Sequence, residues 1–179
     1  MLQLFGFDRI GVVLGDAYLI DPEPLDGQEG AERGVRLEVR MLEPGALPGS
    51  IYSARPITIA EPVWRADLLE STDSVPGSLD RVHHHPNMRD WEPGRRVFDQ
   101  ALSSDPVAFV GMMLSDLEGM LERAGVEIDA TLAADADKLR HAVPDVQRAV
   151  AGLLDQVKAG QLGTAPEAEG LSSARVSWL

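Results

Sequence analysis

Cysteine is absent from all 179 residues. That excludes disulfides, thiolate-ligated metals, iron–sulfur clusters and cysteine nucleophiles; it also fits a reducing compartment without requiring one. Lysine is nearly absent, since Lys138 and Lys158 are the only two among 16 basic residues. Lysine-based phosphate loops are thereby removed, and Schiff-base chemistry is disfavoured because both lysines fall at exposed helical positions of the pattern. No apolar run reaches the length of about 18 residues needed to cross a bilayer. The segment Met1–Arg9 has no basic stretch followed by an apolar core and a small-residue cleavage site, so a cytoplasmic protein is expected. Gly-x-Ser-x-Gly, Gly-x-Gly-x-x-Gly, the Walker loop and His-Glu-x-x-His are all missing. There is no internal repeat.

What remains is the composition of a folded domain, with 44% hydrophobic and 25% charged residues. A chain of this length buries a sizeable core without disulfides or structural zinc. Acids outnumber bases 29 to 16, a formal charge of −13, which argues against partners that are nucleic acid or anionic membrane. The excess is spread evenly over both halves, so no basic module is tethered to an acidic one.

The first hundred residues carry the period of two that marks strands. In Gly34–Leu42, Val35, Leu37, Val39 and Met41 point one way, and Arg36, Glu38 and Arg40 the other, towards solvent. Ile10–Ile20 is a more apolar strand, joined to it by a long loop rich in turn formers. Ser50–Ala60 is expected as a strand that Pro56 confines to a sheet edge or a bulge. A Glu61-Pro62 corner then leads to Val63–Glu70, where Trp64, Ala66 and Leu68 share one face and Arg65 and Asp67 the other. A turn over 71–78 returns the chain as Leu79–His85, and Arg95–Phe98 gives one more short strand. From Asp105 the period becomes helical: Asp105 caps a helix with Pro106 at its first position, and Gly125 closes it. Two further stretches follow, Thr131–His141 and a helix after Pro144 ending at Gly160. Strands first and helices second predict an α+β fold, a curved antiparallel sheet or small open barrel covered by two or three helices. Residues 1–160 are expected to form one domain, β-rich over 1–100 and helical over 105–160, with 161–179 as a mobile tail.

Three of the four histidines are consecutive, His83, His84 and His85, on the returning strand. Alternate strand residues share a face about 7 Å apart, so His83 and His85 can both reach one metal ion. A carboxylate, Asp67 from the adjoining strand or Asp90 or Glu92 from the following loop, would complete a two-histidine, one-carboxylate set for a divalent metal such as iron, manganese or zinc. The run Gly77-Ser-Leu-Asp-Arg-Val-His83-His84-His85 resembles the first half of the cupin metal motif. The resemblance implies His83 and His85 as ligands, with Asp90 at the position of the motif's glutamate. The motif's later glycine is replaced by Val97, and its second half is missing, since the one other histidine is His141.

Other readings stand beside this one. If Val82 and His84 face the core, His83 and His85 face water and have no specific role. Residues 81–96 also carry four arginines, Arg81, Arg89, Arg95 and Arg96, against two acids, and guanidinium forks suit carboxylates or phosphates. With His84 and Trp91, these arginines form a candidate site for a small-molecule ligand; surface pairing with acids is the bland alternative. Whether the chain is an enzyme stays open. A non-enzymatic homodimer that uses its helical stripes as an interface is the third alternative.

Overall fold

The computed structural model describes residues 1–165 apart from Pro22, Glu23, Leu25, Gln28, Arg89 and Asp90, together with the backbone of Arg175 and Val176. The fold is α+β. Strands β1 (Leu2–Gly6), β2 (Ile10–Ile20), β3 (Ala31–Pro44), β4 (Ile57–Ser71) and β5 (His83–His85) lie side by side in chain order, every pair antiparallel, in a sheet that does not close. Helices α1 (Gln100–Ser104), α2 (Pro106–Ser115), α3 (Leu117–Arg123) and α4 (Ala130–Lys158) follow, and a two-residue strand β6 (Arg175–Val176) pairs with β2. Most of the expected tail, 166–174 and 177–179, lies outside the described residues. None of the described helices is long and apolar enough to cross a membrane.

The helices cover one face of the sheet. Ile10, Val12 and Leu14 of β2, Val35, Leu37 and Val39 of β3, and Trp64, Ala66 and Leu68 of β4 form a core with Leu114, Leu117, Leu121, Val146, Val150 and Leu153. The apolar stripes of the helices are therefore buried against the chain's own sheet. A buried carboxylate adds a polar clamp to this layer. Asp135 of α4 accepts the backbone N–H groups of Asp8, Arg9 and Ile10 at 3.2, 2.6 and 3.2 Å, holding the β1–β2 turn against the helix.

Several boundaries depart from the expectations, each for a local reason. Ser50–Ala60 is not a strand of its own, and Glu61-Pro62 is not a corner: β4 runs unbroken through both residues. Pro62 sits opposite Arg40 where the β3–β4 register shifts, a bulge that removes the need for its missing N–H. The returning strand is reduced to three residues, and Val97 contributes a single bridge to His84 instead of a strand. The first helix is broken at Asp116, whose φ of −106° and ψ of 45° leave helical space. Conversely, Pro144 neither ends nor begins a helix, for α4 passes through it. Loss of one helical hydrogen bond and the ring clash cost about 3 kcal/mol. The stripe Leu139, Val143, Val146, Val150 and Leu153 is buried on both sides of it, at about 1.5–3 kcal/mol per large side chain, and that outweighs the break. Among the described residues there are four helices where two or three were expected, because the short α1 precedes the Asp105 cap.

Candidate metal centre

The antiparallel register sets out the other face of the sheet row by row. Arg36 of β3 lies opposite Asp67 of β4, which lies opposite His83 of β5; one row along, Glu38 faces Arg65, which faces His85. Because strand side chains alternate, these six share the face away from the helices, while His84 turns to the helix side. There the Trp64 Nε1–H donates to His84 Nδ1 at 3.2 Å, and the His84 ring meets Phe109 edge-on at 5.2 Å.

Val82 and His84 do face the core, yet His83 and His85 do not face water: they are only 4% and 3% exposed. The polar face is itself covered. Phe98 lies against the His83 ring at 5.7 Å, and Trp91 lies over the Arg40 guanidinium at 4.8 Å. The expectation that Arg36, Glu38 and Arg40 project to solvent is corrected accordingly, Glu38 being 3% exposed. Charge complementarity across strands is what makes this burial tolerable. Arg65 Nε donates to Glu38 Oε1 at 2.7 Å, and Arg40 Nη1 lies 3.1 Å from Glu38 Oε2.

Asp67, His83 and His85 converge, with ligand atoms all within 4.8 Å of one another. Asp67 Oδ2 is 3.4 Å from His83 Nε2 and 3.4 Å from His85 Nε2, and its Oδ1 accepts from Arg36 Nε at 2.6 Å. Burial by itself would raise the Asp67 pKa, but the Arg36 guanidinium, joined by the two histidines where they carry a proton on Nε2, outweighs it and holds the carboxyl well below the ordinary range. The group is therefore a carboxylate at neutral pH. His83 Nδ1 lies 2.9 Å from the Arg81 carbonyl, which only accepts, so Nδ1 carries the proton. In the neutral ring, Nε2 then aims a lone pair at a carboxylate oxygen, an arrangement that calls for a proton or a cation between them. Bonds of about 2.1 Å at a tetrahedral angle would set ligand atoms roughly 3.4 Å apart. A second ring nitrogen fixed by a backbone carbonyl is also how metal-bound histidines are held. The buried group can hold a metal ion.

The other residues singled out from the sequence are scattered. Arg81 donates from Nη2 to the Gly27 carbonyl, while its Nε is buried without a partner among the described residues. Arg96 pairs with Asp21 at 3.5 Å, and Arg95 is exposed. Trp91 is exposed and adopts a left-handed backbone, φ 72°. Arg89 and Asp90 lie outside the described residues; among those described, the carboxylate beside the two histidines is Asp67. Arg36, which fixes that carboxylate, went unremarked as a site residue. Its signal was the opposite-sign alternation of Arg36, Glu38 and Arg40 against Arg65 and Asp67. Half-buried Glu32 stands near the same face, where burial raises its pKa against the pull of His83, Arg96 and Arg81. A cavity of about 180 Å³ lies elsewhere, lined by Glu70, Leu79, Leu154 and Lys158; both Glu70 oxygens are already engaged there by Arg33 Nε and the Gly77 N–H. No protein-family model, curated protein or solved structure matches the chain.

Proposed function

We propose that this protein binds one divalent transition-metal ion through Asp67 Oδ2, His83 Nε2 and His85 Nε2, and that the ion serves a small-molecule site. The observation that carries this reading is the pair of 3.4 Å approaches to one carboxylate oxygen, made while His83 Nδ1 is committed to the Arg81 carbonyl. Two imidazoles and a carboxylate suit zinc, iron or manganese and leave coordination positions open. A metal so held supplies Lewis-acid or redox activation of a bound ligand. Arg36 contributes by fixing the carboxylate and offsetting its charge.

Equilibrium dialysis of untagged, chelator-stripped protein against zinc and manganese tests the reading. About one equivalent should be retained, and His83→Ala and Asp67→Asn should each lower the affinity by at least about tenfold. Wild-type protein that retains no metal, or retains it equally well in both variants, rejects the proposal. The homodimer alternative has lost its helical stripes, which lie in the core, and would need another surface.

A further inference from the structure

We infer that two copies of this chain pair through the outer edge of β1, forming a symmetric dimer with one continuous sheet. The inference is independent of the metal reading, and it supplies the surface a dimer lacks once the helical stripes lie in the core. β1 is the end strand of the sheet and, among the described residues, pairs with β2 alone. β6 takes the β2 edge farther along, at Tyr18 and Leu19, and leaves the outer side of β1 open.

Backbone geometry says which groups stand at that edge. The Phe7 N–H donates to the Ile10 carbonyl at 2.8 Å, so these two residues form a hydrogen-bonded pair. Bonded and non-bonded pairs alternate along an antiparallel ladder. Phe5 with Val12 and Gln3 with Leu14 are therefore bonded, while the N–H and C=O groups of Leu2, Leu4 and Gly6 turn outward. Natural edge strands are blunted by charges, prolines or bulges. β1 has none of these: its register with β2 is unbroken, and residues 1–7 include no charged side chain and no proline. Leu2 and Leu4 are exposed, on the face away from the helices, where Leu4 continues the row of Val13 and Glu38.

The strand is complementary to itself. A two-fold axis at Leu4 sets Leu4 opposite Leu4 of the second copy, and Leu2 opposite Gly6. Each of these pairs exchanges two hydrogen bonds, so every outward group is satisfied; a shift of two residues either way leaves one outward residue of each copy unpaired. Gly6 has no side chain and makes room for Leu2 on the shared face, a match that favours a second copy over a foreign strand. Charge points the same way. Two chains of −13 repel each other, so a contact between copies has to avoid the acids. The paired stretch ends with Met1 opposite Phe7, and its one charge, the amino group, is paired with Asp16 of its own chain.

Full-length protein should sediment as a concentration-dependent dimer with a Kd of about 10 µM or tighter. Residue-resolved amide exchange should show Leu2, Leu4 and Gly6 protected only in the dimer, and Gln3 and Phe5, bonded to β2, protected in both states. Leu4→Lys and Leu4→Glu each bring like charges together at the axis and should weaken the dimer at least about tenfold. An equimolar mixture of the two variants sets Lys against Glu and should regain the dimer. A wild-type monomer at about 100 µM, a dimer that survives either substitution, or folded variants that stay monomeric when mixed would each overturn the inference. So would protection of Leu2, Leu4 and Gly6 in the monomer, which would mean that another segment of the chain covers the edge. The metal centre lies on β4 and β5 at the opposite end of the sheet, so Leu4→Lys should retain metal as the wild type does, and failure of one reading leaves the other standing.

Discussion

The Arg36–Asp67 pair offers the sharpest energetic test, because both partners are drawn from adjacent strands and neither lies free in water. Asp67 is 1% exposed, the Arg36 side chain 15%, and the bond between them 2.6 Å. Two unit charges about 4 Å apart attract by roughly 4 kcal/mol at the effective dielectric near a protein surface. Desolvation offsets much of that, so the pair's net worth is small, but breaking it strands the surviving charge at about 3–5 kcal/mol. Partial exposure of Arg36 sets the expectation at the lower end. Asp67→Ala in metal-free protein should lose about 3 kcal/mol in urea denaturation at neutral pH. The double variant Arg36→Met with Asp67→Ala removes both charges and should recover at least about 1 kcal/mol of that loss. The pH dependence has a fixed sign: with its folded pKa depressed, Asp67 stabilises above its unfolded value of about 3.9 and the contribution fades as pH falls below it. A single variant that costs under about 1 kcal/mol, or a double variant no better than the single, would refute a desolvated pair at this position.

Three further outcomes are expected. Asp135→Ala leaves the N–H groups of Asp8, Arg9 and Ile10 without their acceptor; a loss of about 3 kcal/mol in chemical denaturation should follow, and a value near zero would show the turn is held otherwise. His84 has its pKa lowered, chiefly by burial, so its contribution is present above pH of about 6.5 and falls away on acidification. His84→Gln keeps an acceptor for Trp64 Nε1 but does not titrate, and stability measured from pH 7.5 to 5.5 should be less pH-dependent than in the wild type; identical slopes would contradict the neutral, buried histidine. Trp91→Ala removes an exposed ring over Arg40 and should change stability by no more than about 1 kcal/mol, a bound that calorimetry can check.

Much of the architecture was legible because it is written in local periods. Val35, Leu37 and Val39 alternate with charges, and Asp105-Pro106 with Gly125 brackets a helical stretch as caps do. Convergence of His83, His85 and Asp67 could be anticipated from strand geometry plus the turn over 71–78. A period of two identifies two faces, however, and says nothing of what lies over the second. Arg36, Glu38 and Arg40 were expected towards solvent, whereas Arg36 pairs with buried Asp67 and buried Glu38 with Arg65 and Arg40. Asp135 gave no signal, since its partners are backbone groups at the far end of the chain. Pro62 and Pro144 misled for one reason: a proline's local penalty is fixed, while the bulge or buried stripe that offsets it is set by tertiary contacts.

The most direct measurement is a crystal of the protein soaked in manganese or zinc, with anomalous diffraction recorded at the metal's absorption edge. The expected result is a single strong peak at bonding distance from Asp67 Oδ2, His83 Nε2 and His85 Nε2, lost in crystals of His83→Ala. A map with no peak between these three side chains, or with peaks confined to surface carboxylates, would contradict the assignment of a metal centre.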